Sequence, residues 1–353
     1  MNKEIFNILI NSVNTTQYMT KLRSEKFLKL NNYDDGKNIV EYLESSSKKN
    51  DYDIVNQLQE YEYDKNYRYF TLYKYEDNDI NKKIQELSDN DINKEEFDYI
   101  SGSPKKPSIK VYDDEKQIDI KFSLRLESNY NNNSIKFIVM CTVFLEEKLI
   151  AIKYNSTSEE YYKEEYYIKT NNRVKKWIEQ KLDINMVEFD SMSVYKDLYK
   201  NIKMNKEQYQ NVSIHSISMD DELNGRTYFR ATDDEMLPFV DAITKLTETF
   251  ECENDKIKVL DYIKRYEDEA IIRNIALKWK NNFKNNKGKR LGSITVGITK
   301  VYSVNNVDNQ LKYEFLLHHV KQDESVNRER INYAIKYLSR HINKNKEQSK
   351  DWW

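Results

Sequence analysis

The sequence predicts an α+β fold with an N-terminal helical region, a central antiparallel β-meander and a C-terminal helix–hairpin–helix part. Three observations predict it. Apolar residues recur at helical spacing near the start, at Ile5, Leu9 and Val13, and again at Ile39 and Leu43. They then alternate strictly at Ile118, Ile120, Phe122, Leu124 and Leu126, the period of a strand with one apolar face. Helical spacing returns at Phe239, Ile243, Leu246 and Phe250, and once more at Ile331, Ile335, Leu338 and Ile342.

The chain has 353 residues, enough for two or three domains. It has only three prolines, and Pro104 and Pro107 fall together in Ser101-Gly-Ser-Pro-Lys-Lys-Pro-Ser108. That run reads as a linker. The expected division is a mainly helical, acidic region over 1–100, an antiparallel sheet domain with helices over 108–232, and a helical and β-hairpin region over 233–353.

Within the first region a strand is expected at Tyr67–Tyr75, where aromatic and apolar residues dominate. Residues 51–98 hold 14 acids and 6 bases, a net of −8. The meander is expected from Ile109–Asp113, the alternating strand around 118–126, Ile135–Leu145 and Leu149–Tyr154, with the turn Glu146-Glu147-Lys148 before the last. The alternating strand should have one wet face, because Asp119, Lys121, Ser123, Arg125 and Glu127 fall between its apolar residues.

A helix is expected over 158–183. Val212–Met219 and Arg226–Arg230 read as strands on either side of Asn224-Gly225. A helix should begin near Pro238, with Asp233, Asp234 and Glu235 placed for its positive end. Two helical runs follow, over 255–266 and 269–284. A hairpin then joins Ser293–Ser303 to Leu311–Val320, and a last helix covers 325–343. The chain ends on Asp351-Trp352-Trp353, two aromatics expected to fold back onto the body or to dock elsewhere.

Composition limits the function classes. The chain is 33% charged and 39% hydrophobic, with 28 Tyr and 13 Phe, so it has the apolar bulk that disordered chains lack. Asn and Lys number 39 and 45 against 12 Arg and 6 Ala. This bias follows AT-rich codons and points to an AT-rich bacterium or one of its phages. Two cysteines, Cys141 and Cys252, are too few for a disulfide scaffold. Cys141 belongs to an apolar run and reads as a buried small hydrophobe. The longest near-apolar run, Phe137–Leu145, is far short of the roughly 20 residues of a membrane helix. With no signal peptide visible, a soluble, cytoplasmic protein is expected.

Most enzyme signatures are missing. No GxxxxGK[ST] loop occurs, and Gly288-Lys-Arg-Leu-Gly292 matches neither phosphate-binding glycine pattern. His318 and His319 are adjacent in an expected strand and would point to opposite faces. One set of side chains is suggestive. Asp119-x-Lys121 on a strand, with Asp113 nearby, resembles the (D/E)xK element of restriction-type nucleases. That resemblance implies a carboxylate holding Mg or Mn and a lysine stabilising developing charge. Asp113 is closer in sequence than that pattern's separate strand allows, and charged pairs on wet strand faces are common.

The strongest anomaly is electrostatic. From Ala270 to Val307 there is no Asp or Glu, while the same 38 residues hold eight Lys or Arg. The whole chain is at −2. If the first part of this stretch is a helix, Ile272, Ala276, Trp279 and Phe283 form its buried stripe. The cations then lie on another face, and the last lysines compensate the helix dipole. The candidate partner-binding residues are Lys280, Lys284, Lys287, Lys289 and Arg290. Lys predominates over Arg, which disfavours base readout by bidentate guanidinium.

The expectation is therefore a non-enzymatic interaction protein that occupies a partner's surface without a cofactor. Its partner would be an acidic protein face, including residues 51–98 of another copy in a homo-oligomer. The setting expected is phage–host conflict, either as a phage inhibitor of a host defence complex or as a defence-system component. The alternative is a Mg- or Mn-dependent nuclease, or another nucleic-acid-binding protein, with the basic stretch as its track.

Overall fold

In the computed structural model the chain is α+β. The structure describes residues 8, 12, 52–65, 67–90, 98–161, 166–205, 207–220, 226–230, 238–269, 271–284, 290–304, 311–319 and 328–350. The expected helices around Leu9 and Leu43 and the Trp352-Trp353 tail lie outside the described residues. Ile8 and Ser12 are described, and both are buried helical residues. The chain divides into two compact units, Met1–Phe189 and Asp190–Trp353.

The first unit is built on a sheet in the order β2-β4-β5-β6-β1. Helix α1 (Tyr52–Asp64) leads into β1 (Tyr69–Lys74), and α2 (Ile80–Asn90) follows. Strands β2 (Ile100–Ser101) and β3 (Ser108–Tyr112) both pair with β4 (Gln117–Glu127). The Pro104/Pro107 run connects β2 to β3 and thus lies inside the first unit. Strands β4, β5 (Ser134–Phe144) and β6 (Leu149–Tyr154) form the expected meander. Its β5–β6 turn includes Lys148 in the left-handed region at φ 50°. Helix α3 (Tyr166–Leu182) follows, and the short β7 (Val187–Glu188) pairs with β1.

Helix α3 covers one face of the sheet. Phe122 meets Trp177 edge-on at 5.0 Å and Phe137 meets Tyr166 at 5.6 Å. Asn171 of α3 donates to the Tyr73 hydroxyl at 2.9 Å. The opposite face of β4 carries Gln117, Asp119, Lys121 and Ser123, the face expected to be wet. These four are buried because α1 lies across them, while Arg125 and Glu127 farther along the same face are half-buried and exposed. Alternation of charge and hydrocarbon tells apart the two faces of β4, and the charged face meets water only at its Arg125–Glu127 end.

The second unit has an antiparallel sheet in the order β12-β11-β10-β8-β9. Helix α4 (Ser191–Met204) opens it, capped by Asp190, whose carboxylate accepts from the Ser193 amide at 3.1 Å. Strands β8 (Val212–Asp220) and β9 (Arg226–Arg230) pair as expected. Helices α5 (Pro238–Thr247) and α6 (Glu253–Glu269) come next. Strands β10 (Ile271–Lys284), β11 (Arg290–Val304) and β12 (Leu311–His319) follow, then α7 (Arg328–Lys350). The β11–β12 hairpin and the last helix match the sequence expectation.

Residues 269–284 do not. They were expected to be helical, and β10 is a strand. Ile275, Leu277 and Trp279 alternate with Ala276, Lys278 and Lys280, a period-two pattern within the apparent helical stripe. The aromatics are core, as expected, by strand rather than helix geometry. Trp279 is buried between Tyr195 of α4 and Tyr337 of α7, and Phe283 sits edge-on to Tyr333 at 5.3 Å. A register shift between Lys280 and Phe283 accompanies this placement. The Tyr195 hydroxyl also donates to the Val296 carbonyl at 3.2 Å.

Candidate functional sites

Two clusters of charge stand out, one in each unit. The first is inside. Glu62 comes from α1, Asp98 precedes β2, Lys121 lies on β4 and Lys136 on β5. Strand pairing sets Lys121 beside Met140 and Arg125 beside Lys136, so both lysines rise from one sheet face under α1. Lys121 Nζ is 3.0 Å from Glu62 and 2.8 Å from Asp98. Lys136 Nζ is 2.7 Å from each carboxylate. No side chain of the four is more than 6% exposed.

The remaining hydrogen-bonding capacity is taken up locally. Asp98 accepts from the hydroxyls of Ser108 at 2.6 Å and Ser123 at 3.1 Å. Its backbone N–H donates to the Gln59 side chain at 2.6 Å, and Lys121 donates to the Gln59 carbonyl at 3.2 Å. The Tyr63 ring covers Lys121 at 4.5 Å, with Lys110 at 5.2 Å from the same ring. The Lys136 backbone N–H donates to the Ser12 hydroxyl at 2.7 Å, which ties that N-terminal residue to β5.

Two ammonium groups against two carboxylates leave the cluster neutral. Burial pushes the Asp98 carboxyl upward, but Lys136 and Lys121 outweigh it and hold the group well below the usual carboxylate range. Burial likewise disfavours charged Lys121, yet Glu62 and Asp98 reverse that and raise it above the ordinary lysine value. Both residues stay charged at neutral pH.

The set Asp113, Asp119 and Lys121 is not assembled as nuclease-like chemistry requires. Asp113 sits in an exposed 3₁₀ turn before β4. Asp119 is buried and accepts from Thr142 at 2.6 Å and Gln117 at 3.1 Å. Lys121 is engaged by Glu62 and Asp98. Those two acids, 36 residues apart in sequence, carried no local signal and went unnoticed. Among the described residues, no group of three or more His, Cys, Asp or Glu could hold a metal ion. Cys141 is buried, and burial pushes its thiol well above the ordinary value, which makes it unreactive.

The second cluster is the acid-free stretch. It forms the two longest described strands, β10 with 14 residues and β11 with 15. Of its candidate residues, Lys280 is exposed near the end of the regular β10 pairing, opposite Ser293. Lys284 is paired in register with Arg290. Lys287 and Lys289 belong to the 285–289 connection, outside the described residues. The described candidates Lys280, Lys284 and Arg290 therefore lie toward one end of the β10–β11 pairing, and helix-dipole compensation does not account for them. Arg273 is committed differently, in an ion pair with Asp220.

One further cation joins this end and was missed in the sequence. Arg330 of α7 is buried, lies 5.3 Å from the Phe283 ring and donates to the Ser293 carbonyl at 3.1 Å. Its helix is itself basic, with seven Lys or Arg and two Glu over 328–350. The signal was available in Arg328-Glu-Arg330, in a chain with only 12 arginines. No helix among the described residues is long and apolar enough to cross a membrane. In comparisons with family models, curated proteins and solved structures, the chain matched none.

Proposed function

We propose that this is a non-enzymatic cytoplasmic interaction protein that uses the β10–β11 hairpin to occupy an acidic surface on a partner protein. The observation that carries this reading is the cross-strand register of Lys284 with Arg290 within an acid-free stretch. Like charges directly opposite each other destabilise a strand pair. A hairpin that keeps such a pair, with Lys280 exposed nearby, gains most when an anionic surface covers it. Trp279 and Phe283 of the stretch are committed to the core, which favours an electrostatic partner over base stacking.

The setting proposed is phage–host conflict, as an inhibitor of a host defence complex or a component of one. It rests on the AT-rich coding bias. Residues 51–98 of another copy are one candidate partner, though two of their 14 acids, Glu62 and Asp98, are turned inward and neutralised.

The test is affinity capture from the source cell with the wild-type chain and with Lys280→Glu/Lys284→Glu/Arg290→Glu, together with gel shifts on duplex DNA across a salt series. A co-purifying acidic protein lost in the variant is expected. DNA binding that falls steeply with salt and disappears in the variant would instead favour the nucleic-acid alternative. Magnesium- or manganese-dependent plasmid cleavage lost in Asp119→Ala, with the urea midpoint unchanged, would favour the nuclease.

A further inference from the structure

The acid-free stretch is preceded by its opposite. From Asp220 to Glu269 the chain holds 15 acids and 7 bases, a net of −8. This segment includes β9 and the helices α5 and α6, which pack against each other. The described residues of these helices bury little. Among the described residues from Ile243 to Arg265, Thr247 alone is buried. An amphipathic helix ordinarily hides its apolar stripe. Here Val259, Leu260 and Ile263 are only half-buried, while Leu246, Ile257 and Tyr262 are 56%, 48% and 65% exposed.

We infer that the α5–α6 arm of one copy docks on the basic hairpin of a second copy, head to tail. The inference rests on the reading of that hairpin as a partner-binding surface, and names one of its occupants. Charge selects the pairing. Arm against arm would set acid against acid, and hairpin against hairpin would set cation against cation. Arm on hairpin joins helices with nine acids and five bases over 238–269, a net of −4, to a net +8 stretch in which Arg273 is already paired with an acid of the preceding segment. Like-charge juxtapositions of the other two kinds are costly. An acidic arm is also a poor match for nucleic acid. Exposed Leu246, Ile257 and Tyr262 supply the apolar contact that charge alone lacks. Such a contact uses different surfaces on the two copies, so it builds rings or open chains.

The test uses the full-length chain and two variants, Leu246→Ser/Tyr262→Ser in the arm and Lys280→Glu/Lys284→Glu in the hairpin. Mass is read by analytical ultracentrifugation at about 50 mM and about 500 mM salt, a range over which the screening length shrinks by roughly a factor of three. Wild type should assemble at low salt and dissociate at high salt. Each variant alone should be monomeric. An equimolar mixture should form one-to-one dimers and stop, because each variant keeps the surface the other has lost. A wild-type monomer at low salt, variants that assemble like wild type, or a mixture that stays monomeric would each overturn the inference. Failure here is separable from failure of the proposed function. If capture of a cellular partner depends on Lys280 and Lys284 but not on Leu246 and Tyr262, the hairpin reading stands without self-assembly. Loss of self-assembly in both variants, with capture unaffected by either, would keep the hairpin as a docking surface for a second copy and remove only its proposed cellular partner.

Discussion

The lysines beneath α1 and the lysines of the β10–β11 hairpin are chemically identical and serve opposite ends. Lys121 and Lys136 are sealed with two carboxylates at 2.7–3.0 Å. The hairpin has no acid in its own sequence, and Lys280 faces solvent. In the first cluster the electrostatics is complete within one chain. In the second, Arg273 is paired with Asp220 while Lys280 is exposed. Charge that is closed off holds structure, and charge that is left open is available to a partner.

The comparison breaks most sharply at Lys136. Lys136→Met leaves Glu62 and Asp98 sharing a single buried cation, and a broken buried pair costs about 3–5 kcal/mol. The midpoint of urea unfolding should fall accordingly, with little change in slope. A midpoint within error of wild type would mean that the network is not closed as described. Replacing Glu62, Asp98, Lys121 and Lys136 together with apolar residues of similar volume should restore much of that loss, because the desolvation cost vanishes with the charges.

Trp279→Ala comes next, at about 3–5 kcal/mol for a buried large aromatic. It tests whether the hairpin stands on its aromatic underside. A small effect would mean that the stripe is not core.

The pH dependence of the closed cluster follows from signs alone. The folded Asp98 carboxyl is held low, so its contribution is complete above the ordinary carboxylate range and is lost only as pH falls through the depressed value. Folded Lys121 is held high, so its contribution is complete below the ordinary lysine value and is lost as pH rises through the raised one. The stability difference between wild type and Lys136→Met should therefore be flat between about pH 5 and about pH 7 and shrink in strong acid. It should change again near pH 8, where Lys65 titrates, pushed down to about 8 by burial with Lys136 acting in the same direction. A difference that varied between about pH 5 and about pH 7 would contradict this.

The smallest effect is expected at the open site. Lys280→Glu should shift stability by no more than about 0.5 kcal/mol, as exposed substitutions do, while weakening partner capture. Large destabilisation there would show that Lys280 is structural and would erase the contrast.

Much of the fold was legible in local pattern. The meander, the β8–β9 pair, the β11–β12 hairpin and the final helix follow from periods of two and 3.6. Strand β10 was misread because Ile272, Ala276, Trp279 and Phe283 also fit a helical stripe. The alternation Ile-Ala-Leu-Lys-Trp-Lys over 275–280 was the better guide. The buried network was not legible at all. Glu62, Asp98, Lys121 and Lys136 meet through strand pairing and helix packing, and no local period encodes a contact between residues 36 or 74 positions apart. Asp119 and Lys121 looked like a pair because they share one strand face, yet each is engaged by other partners.

Trp279 has an optical consequence. It is buried and set edge-on between Tyr195 and Tyr337, with ring centroids 6.2 Å away on both sides. Trp177, the tryptophan of the first unit, lies against Phe122 and is half-buried. With Trp352 and Trp353 changed to Phe, each unit would keep one tryptophan, excited at wavelengths beyond the absorption of the 28 tyrosines. Emission from Trp279 should then be the bluer of the two and report on the sheet that carries the hairpin, so that melting of the two units could be followed separately in one cuvette without a label.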